Sequence, residues 1–140
     1  MAIEIVAEPE FSRRVNRSAL RDVAAHALRS EHSPVNRDLA VVIVGDKTMR
    51  RLNADFHNVN APTDVLSFPS DEQDYYGDIV ISYETARANA RAARWRTRDE
   101  LELLVVHGIL HLLGYDDLAP DDRAKMWKRQ EKILKKRLNR

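Results

Sequence analysis

The sequence predicts an α+β domain in which a mixed four-stranded sheet packs with about five helices. Three observations predict it. Four short segments have strand character, five longer ones carry apolar residues at helical spacing, and two of the strands are separated by only a short polar connection. A chain of 140 residues with no internal repeat, linker or low-complexity stretch is expected to be one domain, residues 1–140, with a core that needs no disulfide.

Ile3-Glu4-Ile5-Val6 alternates and predicts the first strand. From Asn16 to Arg29, Ala19, Leu20, Val23, Ala24, Ala27 and Leu28 recur at helical spacing, with Asn16 and Ser18 as candidate caps. His26 and His32 flank the end of that helix as ordinary helix-end histidines. Leu39 to Val44 is an unbroken apolar run rich in β-branched residues, which predicts a strand buried on both faces at the centre of the sheet. Asp46 is placed to cap the next helix, which runs through Met49 and Leu52 to Phe56.

The segment Asn58 to Pro69 begins as a loop and becomes a strand limited by prolines. The polar stretch Ser70 to Tyr76 then leads to Gly77–Ser82, a strand close enough for antiparallel pairing, so the sheet is mixed. An Ala-rich helix covers Tyr83 to Trp95. Thr97-Arg98-Asp99-Glu100 reads as a capping box, with Thr97 at the N-cap and Glu100 reaching back. Pro120 opens a last helix whose packing face is Met126, Trp127, Ile133, Leu134 and Leu138, with lysines toward solvent.

The helix begun at Thr97 carries the chemistry. In Val-Val-His-Gly-Ile-Leu-His-Leu-Leu-Gly-Tyr-Asp-Asp, residues 105–117, His107 and His111 stand one turn apart on one face and can share an ion. Gly114 suits a left-handed helix end, which folds Asp116 or Asp117 back toward the imidazoles. Two imidazoles and a carboxylate suit zinc, and three ligands with a fourth place free is the catalytic arrangement. The expected site therefore sits on a central helix and the following turn, and its expected role is hydrolytic. As polar fillers in an apolar helix, the two histidines would leave several nitrogens short of partners.

Composition narrows the rest. With no cysteine, a disulfide framework and a thiolate zinc site are excluded, in keeping with a reducing compartment. The N-terminus lacks a basic start and an apolar h-region, and no apolar run approaches a membrane span, so a soluble intracellular protein is expected. The net charge of +1 hides a segregation: six acidic and no basic residues between Asp55 and Asp78, against nine basic and three acidic from Asp121 to Arg140. A basic surface beside a metal pocket attracts a polyanion such as nucleic acid, although a solvated helix face carries the same charges. Arg87, Arg91, Arg94 and Arg98 would form one stripe if their helix continued that far, and an arginine fork matches phosphate.

Leu52-Asn53, the block Pro62 to Pro69, Gly77-Asp78-Ile79-Val80-Ile81-Ser82 and His107 to Asp116 together resemble the YbeY-like family of bacterial metal-dependent endoribonucleases. The resemblance implies zinc held by the last motif, RNA as substrate, ribosomal RNA maturation, contact with ribosomal subunits and a cytoplasmic location. Two positions depart from the family pattern. Asp117 stands where the family has a third histidine, and His57 stands where an arginine is usual. The resemblance thus implies His107, His111 and Asp117 as metal ligands and His107 and His57 as catalytic residues, while the arginine stripe itself offers Arg87, Arg91 and Arg94 as RNA contacts.

Asp117 can ligate zinc through oxygen, but its charge weakens the ion's pull on bound water and raises that water's pKa. Slower reaction at neutral pH, or service by another divalent metal, is the expectation. His57 can still donate to phosphate while being cationic only part of the time. Asp64 and Asp78, at strand ends, are candidates to orient a ligand or simply to cap turns. Two other readings compete. A metzincin-like protease has the same ligand spacing but needs a glutamate base where this chain has Gly108. A non-catalytic RNA-binding assembly factor with a structural metal would use the basic helices equally well.

Overall fold

An unbroken apolar strand needs cover on both faces and pairing on both edges, and residues 38–44 receive both. In the computed structural model, which describes residues 3–135, Asp38–Val44 (β2) lies between Ile3–Ala7 (β1) and Tyr75–Ser82 (β4), parallel to each. Val65–Pro69 (β3) forms the far edge, antiparallel to β4. The order β1-β2-β4-β3 is the expected mixed sheet of four strands, and β4 begins two residues before Gly77. Leu39, Val41 and Ile43 of β2 enter the larger core, while Val42 and Val44 face a smaller one around Met49 and Val80.

Five α-helices follow the predicted order: Arg17–Ser30 (α1), Asp46–His57 (α2), Tyr83–Ala93 (α3), Thr97–Leu112 (α4) and Pro120–Leu134 (α5). Helices α1 and α4 cover one face, α5 packs on both of them, and α2 covers the other face. A 3-10 turn at Pro9–Arg14 is additional; a single short turn has no periodicity to read in the sequence. It buries Phe11, which stacks on Tyr83 at 5.1 Å. No helix among the described residues is long and apolar enough to cross a membrane.

The caps differ from the sequence reading in instructive ways. Asn16 caps α1 as expected, its Oδ1 accepting from Ala19 N at 3.0 Å. The N-cap of α2 is Gly45, not Asp46. Two distant carboxylates serve the first donors of α2: Glu8 accepts from Gly45 N at 2.7 Å and Glu84 from Asp46 N at 2.8 Å. Asp46 instead accepts from Ser82 Oγ and Thr85 Oγ1, tying α2 to the start of α3. The cap of α4 lies one residue earlier than predicted, at Arg96, and Asp99 rather than Glu100 reaches back, accepting from Arg96 N at 3.1 Å. Glu100 is buried and accepts from Trp95 Nε1 at 3.0 Å.

The arginine stripe does not continue. Helix α3 ends at Ala93, Arg94 turns the chain at φ 63°, and Arg98 belongs to α4, paired with Glu102 at 3.1 Å. Leu138, expected on the packing face of α5, lies outside the described residues.

Candidate metal centre

Helix α4 is apolar on nearly every side because it is enclosed on nearly every side. Leu101, Leu103, Leu104, Val105, Val106, Ile109 and Leu110 are buried, and the helix packs on β3, β4, α1, α3 and α5. Gly108 lets it approach the sheet: a Cβ there would stand 2.6 Å from Ile79 Cγ2. Ser67 Oγ on β3 donates to Gly108 O at 3.3 Å across the same contact. Helix and sheet therefore hold α4 in one rotation, which fixes the direction of its two histidines.

The end of α4 follows from Gly114. At φ +102° it takes a conformation that side chains resist, Tyr115 N donates to Leu110 O at 3.0 Å, and Gly114 N donates to His111 O at 3.0 Å. This pair of bonds closes the helix and reverses the chain. Asp117 comes back over the histidines, its Oδ2 standing 3.5 Å from His111 Nε2 and 3.8 Å from His107 Nε2. The two Nε2 atoms are 3.1 Å apart. Asp116 instead accepts from Leu118 N at 3.0 Å and serves the turn.

These distances suit one ion. A point equidistant from the three atoms lies about 2.0 Å from each, the length of a zinc bond to imidazole nitrogen or carboxylate oxygen. The hydrogen bonds suit it as well. His107 Nδ1 faces Gln130 Oε1 at 2.5 Å and His111 Nδ1 faces Tyr115 O at 3.1 Å, so each Nδ1 meets an acceptor and carries the proton. Both Nε2 lone pairs then point into one small space beside a carboxylate. That is a repulsive arrangement unless a cation lies between them. Burial pushes the His107 pKa below the usual 6.5, against the opposing pull of the Gln130 hydrogen bond, so the ring favours the neutral form a ligand needs.

Two cavities meet at this triad. One lies toward β3 and is lined by His57, Asp64 and Ser67 together with His107, His111 and Asp117. The other lies toward α5 and includes His107, Asp117, Arg123, Trp127 and Gln130 in its walls. The fold thus brings His57, at the end of α2, and Asp64 into the groove with the triad. Asn89 Nδ2 of α3 donates to Asp64 at 3.4 Å. Asp78 is elsewhere, accepting from the Tyr75 hydroxyl. Arg87, Arg91 and Arg94 line neither cavity, and the Arg87 guanidinium stands 5.8 Å over the Tyr83 ring.

Sequence reasoning missed the residues that steady the triad. Gln130 is fully buried on the packing face of α5, an uncharged polar residue between Met126 and Ile133, and that placement was its only signal. Glu31 accepts from the Tyr115 hydroxyl at 2.5 Å and from Arg129 Nε at 2.8 Å, so α1 and α5 together hold the residue whose carbonyl orients His111. Arg123 Nε donates to Asp117 O at 3.2 Å and Nη2 to Leu118 O at 3.3 Å.

Fold and site together define an α+β domain with a three-donor, hydrolase-type candidate metal centre on a buried helix. Comparison with known proteins agrees. A sequence model of the family described as Endoribonuclease YbeY matches residues 4–138. The chain is 32% identical to the Endoribonuclease YbeY of Dehalococcoides mccartyi (strain CBDB1), covering 96% of this chain and 92% of that protein. With that of Chloroflexus aurantiacus (strain ATCC 29366 / DSM 635 / J-10-fl) it shares 42% identity over 79% of this chain and 80% of the relative. The solution structure of TM1509 from Thermotoga maritima superposes with a TM-score of 0.69 at 30% identity, covering 96% of this chain and 87% of that one. This chain belongs to the endoribonuclease YbeY family.

Proposed function

We propose that this protein is a metal-dependent endoribonuclease in which His107, His111 and Asp117 hold one divalent ion, and that residues 1–140 form one catalytic domain. Membership of the family makes it a hydrolase acting on RNA. The observation that carries the metal reading is the convergence of two imidazole lone pairs and a carboxylate on a point about 2.0 Å from each. Zinc fits this donor set, and the carboxylate also admits a harder divalent metal.

A divalent ion bound there supplies Lewis-acid chemistry toward a phosphodiester and its attacking water. The chain's own residues supply the rest. Gln130 and the Tyr115 carbonyl keep the imidazoles neutral and aimed. His57, on the wall of the β3-side groove, donates to a substrate phosphate. Asp64 faces the same groove and is placed to take up a proton. Arg87, Arg91 and Arg94, outside the groove, serve as contacts for more distant phosphates.

The preferred substrate is single-stranded ribosomal RNA, which makes ribosomal subunits the partners and the cytoplasm the site of action. Gly108 weighs against a protease, because the position of that base is pressed onto Ile79.

The test is a defined RNA with a single-stranded segment, incubated with purified protein with and without chelator, beside His111→Ala. About one equivalent of metal per chain and cleavage lost in both controls is the expected result. Cleavage that survives both would sink the metal reading. RNA binding without cleavage, unaffected by chelation, would mark an assembly factor instead. In the same preparation, replacing Arg87 and Arg91 together should flatten the salt dependence of RNA binding by somewhat less than one log-log unit per lost phosphate contact.

A further inference from the structure

We infer that the cavity on the α5 side of the candidate metal centre is a nucleobase subsite, with the Trp127 indole as stacking surface for an unpaired base beside the phosphate at the triad. The inference rests on the RNA reading above and gives it a strand path. His107 and Asp117 belong to the walls of this cavity as well as to the triad, so an occupant of one borders an occupant of the other. Trp127 precedes Gln130 by three residues on α5, and such residues are neighbours on a helix, with Cβ atoms about 5–6 Å apart. Gln130 in turn bonds His107. Trp127 and the candidate ligand His107 thus line one cavity and are both neighbours of Gln130.

The composition of the walls identifies the occupant. Ala124 and Pro120 accompany the indole as apolar surface above the buried Met126, and Arg123 and Lys128 add positive charge. An aromatic face flanked by cations is the combination that binds single-stranded nucleic acid, since every base has a π-face and each base is followed by a phosphate. Arg123 donates to the carbonyls of Asp117 and Leu118, which places its charge beside the ligand turn. A base held within a duplex keeps both faces covered by its neighbours and cannot reach the indole, so this subsite selects unpaired RNA.

The test uses zinc-loaded protein and fluorophore-labelled 2′-O-methyl single-stranded oligonucleotides, with an abasic position moved along the strand. In the parent protein one abasic position should cost affinity on the order of 5- to 150-fold, the range for a single base–aromatic stack. Trp127→Ala should weaken binding of the intact strand by a comparable factor and abolish the penalty at that position. Trp127→Phe, which keeps a ring, should retain most of both. An intact strand bound by a folded Trp127→Ala within twofold of the parent, or an abasic penalty that persists in it, overturns the subsite and leaves the RNA reading standing. A parent protein that neither binds nor cleaves single-stranded RNA overturns both.

Discussion

At Gly108 the absence of a side chain has a direct energetic meaning. A Cβ would stand 2.6 Å from Ile79 Cγ2 and 3.0 Å from Ile79 Cδ1, on a strand with no room to retreat. Alanine is the better helix former by about 1 kcal/mol, but overpacking a core of this kind costs about 1–3 kcal/mol. Gly108→Ala should therefore lower stability in chemical denaturation; a variant more stable than the parent would show that α4 can withdraw from the sheet. His107 supports a second prediction. Burial lowers its pKa in the folded state below the usual 6.5, so the unfolded chain binds more protons between the two values. The stability tied to neutral His107 is present above about pH 6.5 and is lost as pH falls below it toward the folded-state value. Metal-free parent protein should thus lose stability relative to His107→Gln as pH drops from 7.5 to 5, and a difference independent of pH would refute the account. These two residues show what sequence reveals best: the ligand spacing and the missing glutamate are both local, whereas the reason for the glycine, a strand 29 positions earlier, is not.

At the scale of elements, α5 braces all three members of the triad. Gln130 Oε1 accepts a hydrogen bond from His107 Nδ1–H, Arg123 donates to the carbonyl of Asp117, and Arg129 with Glu31 anchors Tyr115 behind His111. Gln130→Met keeps the volume and removes the acceptor, so zinc affinity measured by chelator competition should fall roughly 10- to 100-fold, the usual effect of losing a ligand's hydrogen-bonded support. Gln130→Glu, still an acceptor, should restore most of it; equal loss in both variants would mean that packing rather than the hydrogen bond matters. The sequence marked α5 as a packing helix with a basic outer face but not as the brace, because its partners are 23 positions away in one case and 84 separate Tyr115 from Glu31 in another. The cap errors share that cause. Neighbouring residues alone point to Asp46 and Thr97, while Glu8 and Glu84 reach α2 from distant elements.

Across the whole molecule, architecture was legible because patterning and length constrain it tightly. The apolar run of β2 demanded two covered faces, and the short β3–β4 connection demanded an antiparallel pair. The arginine stripe was not legible, since its reach depended on where α3 stopped, and Arg94 takes a left-handed turn that no helical spacing announces. The docking of α5 has one more consequence. It packs chiefly on α4 and α1 and contributes no strand, so undocking it would break no strand pairing, although it would uncover Met126 and Ile133. Lifting it strips His107, His111 and Asp117 of their supports at once. An ion that requires the docked arrangement therefore adds its binding energy to the closing of the last helix. If His107, His111 and Asp117 hold an ion, limited proteolysis with and without added zinc should then cut the chain before α5, beside the exposed Leu118, more slowly when zinc is present, and equal rates would show that the ion does not hold α5 down.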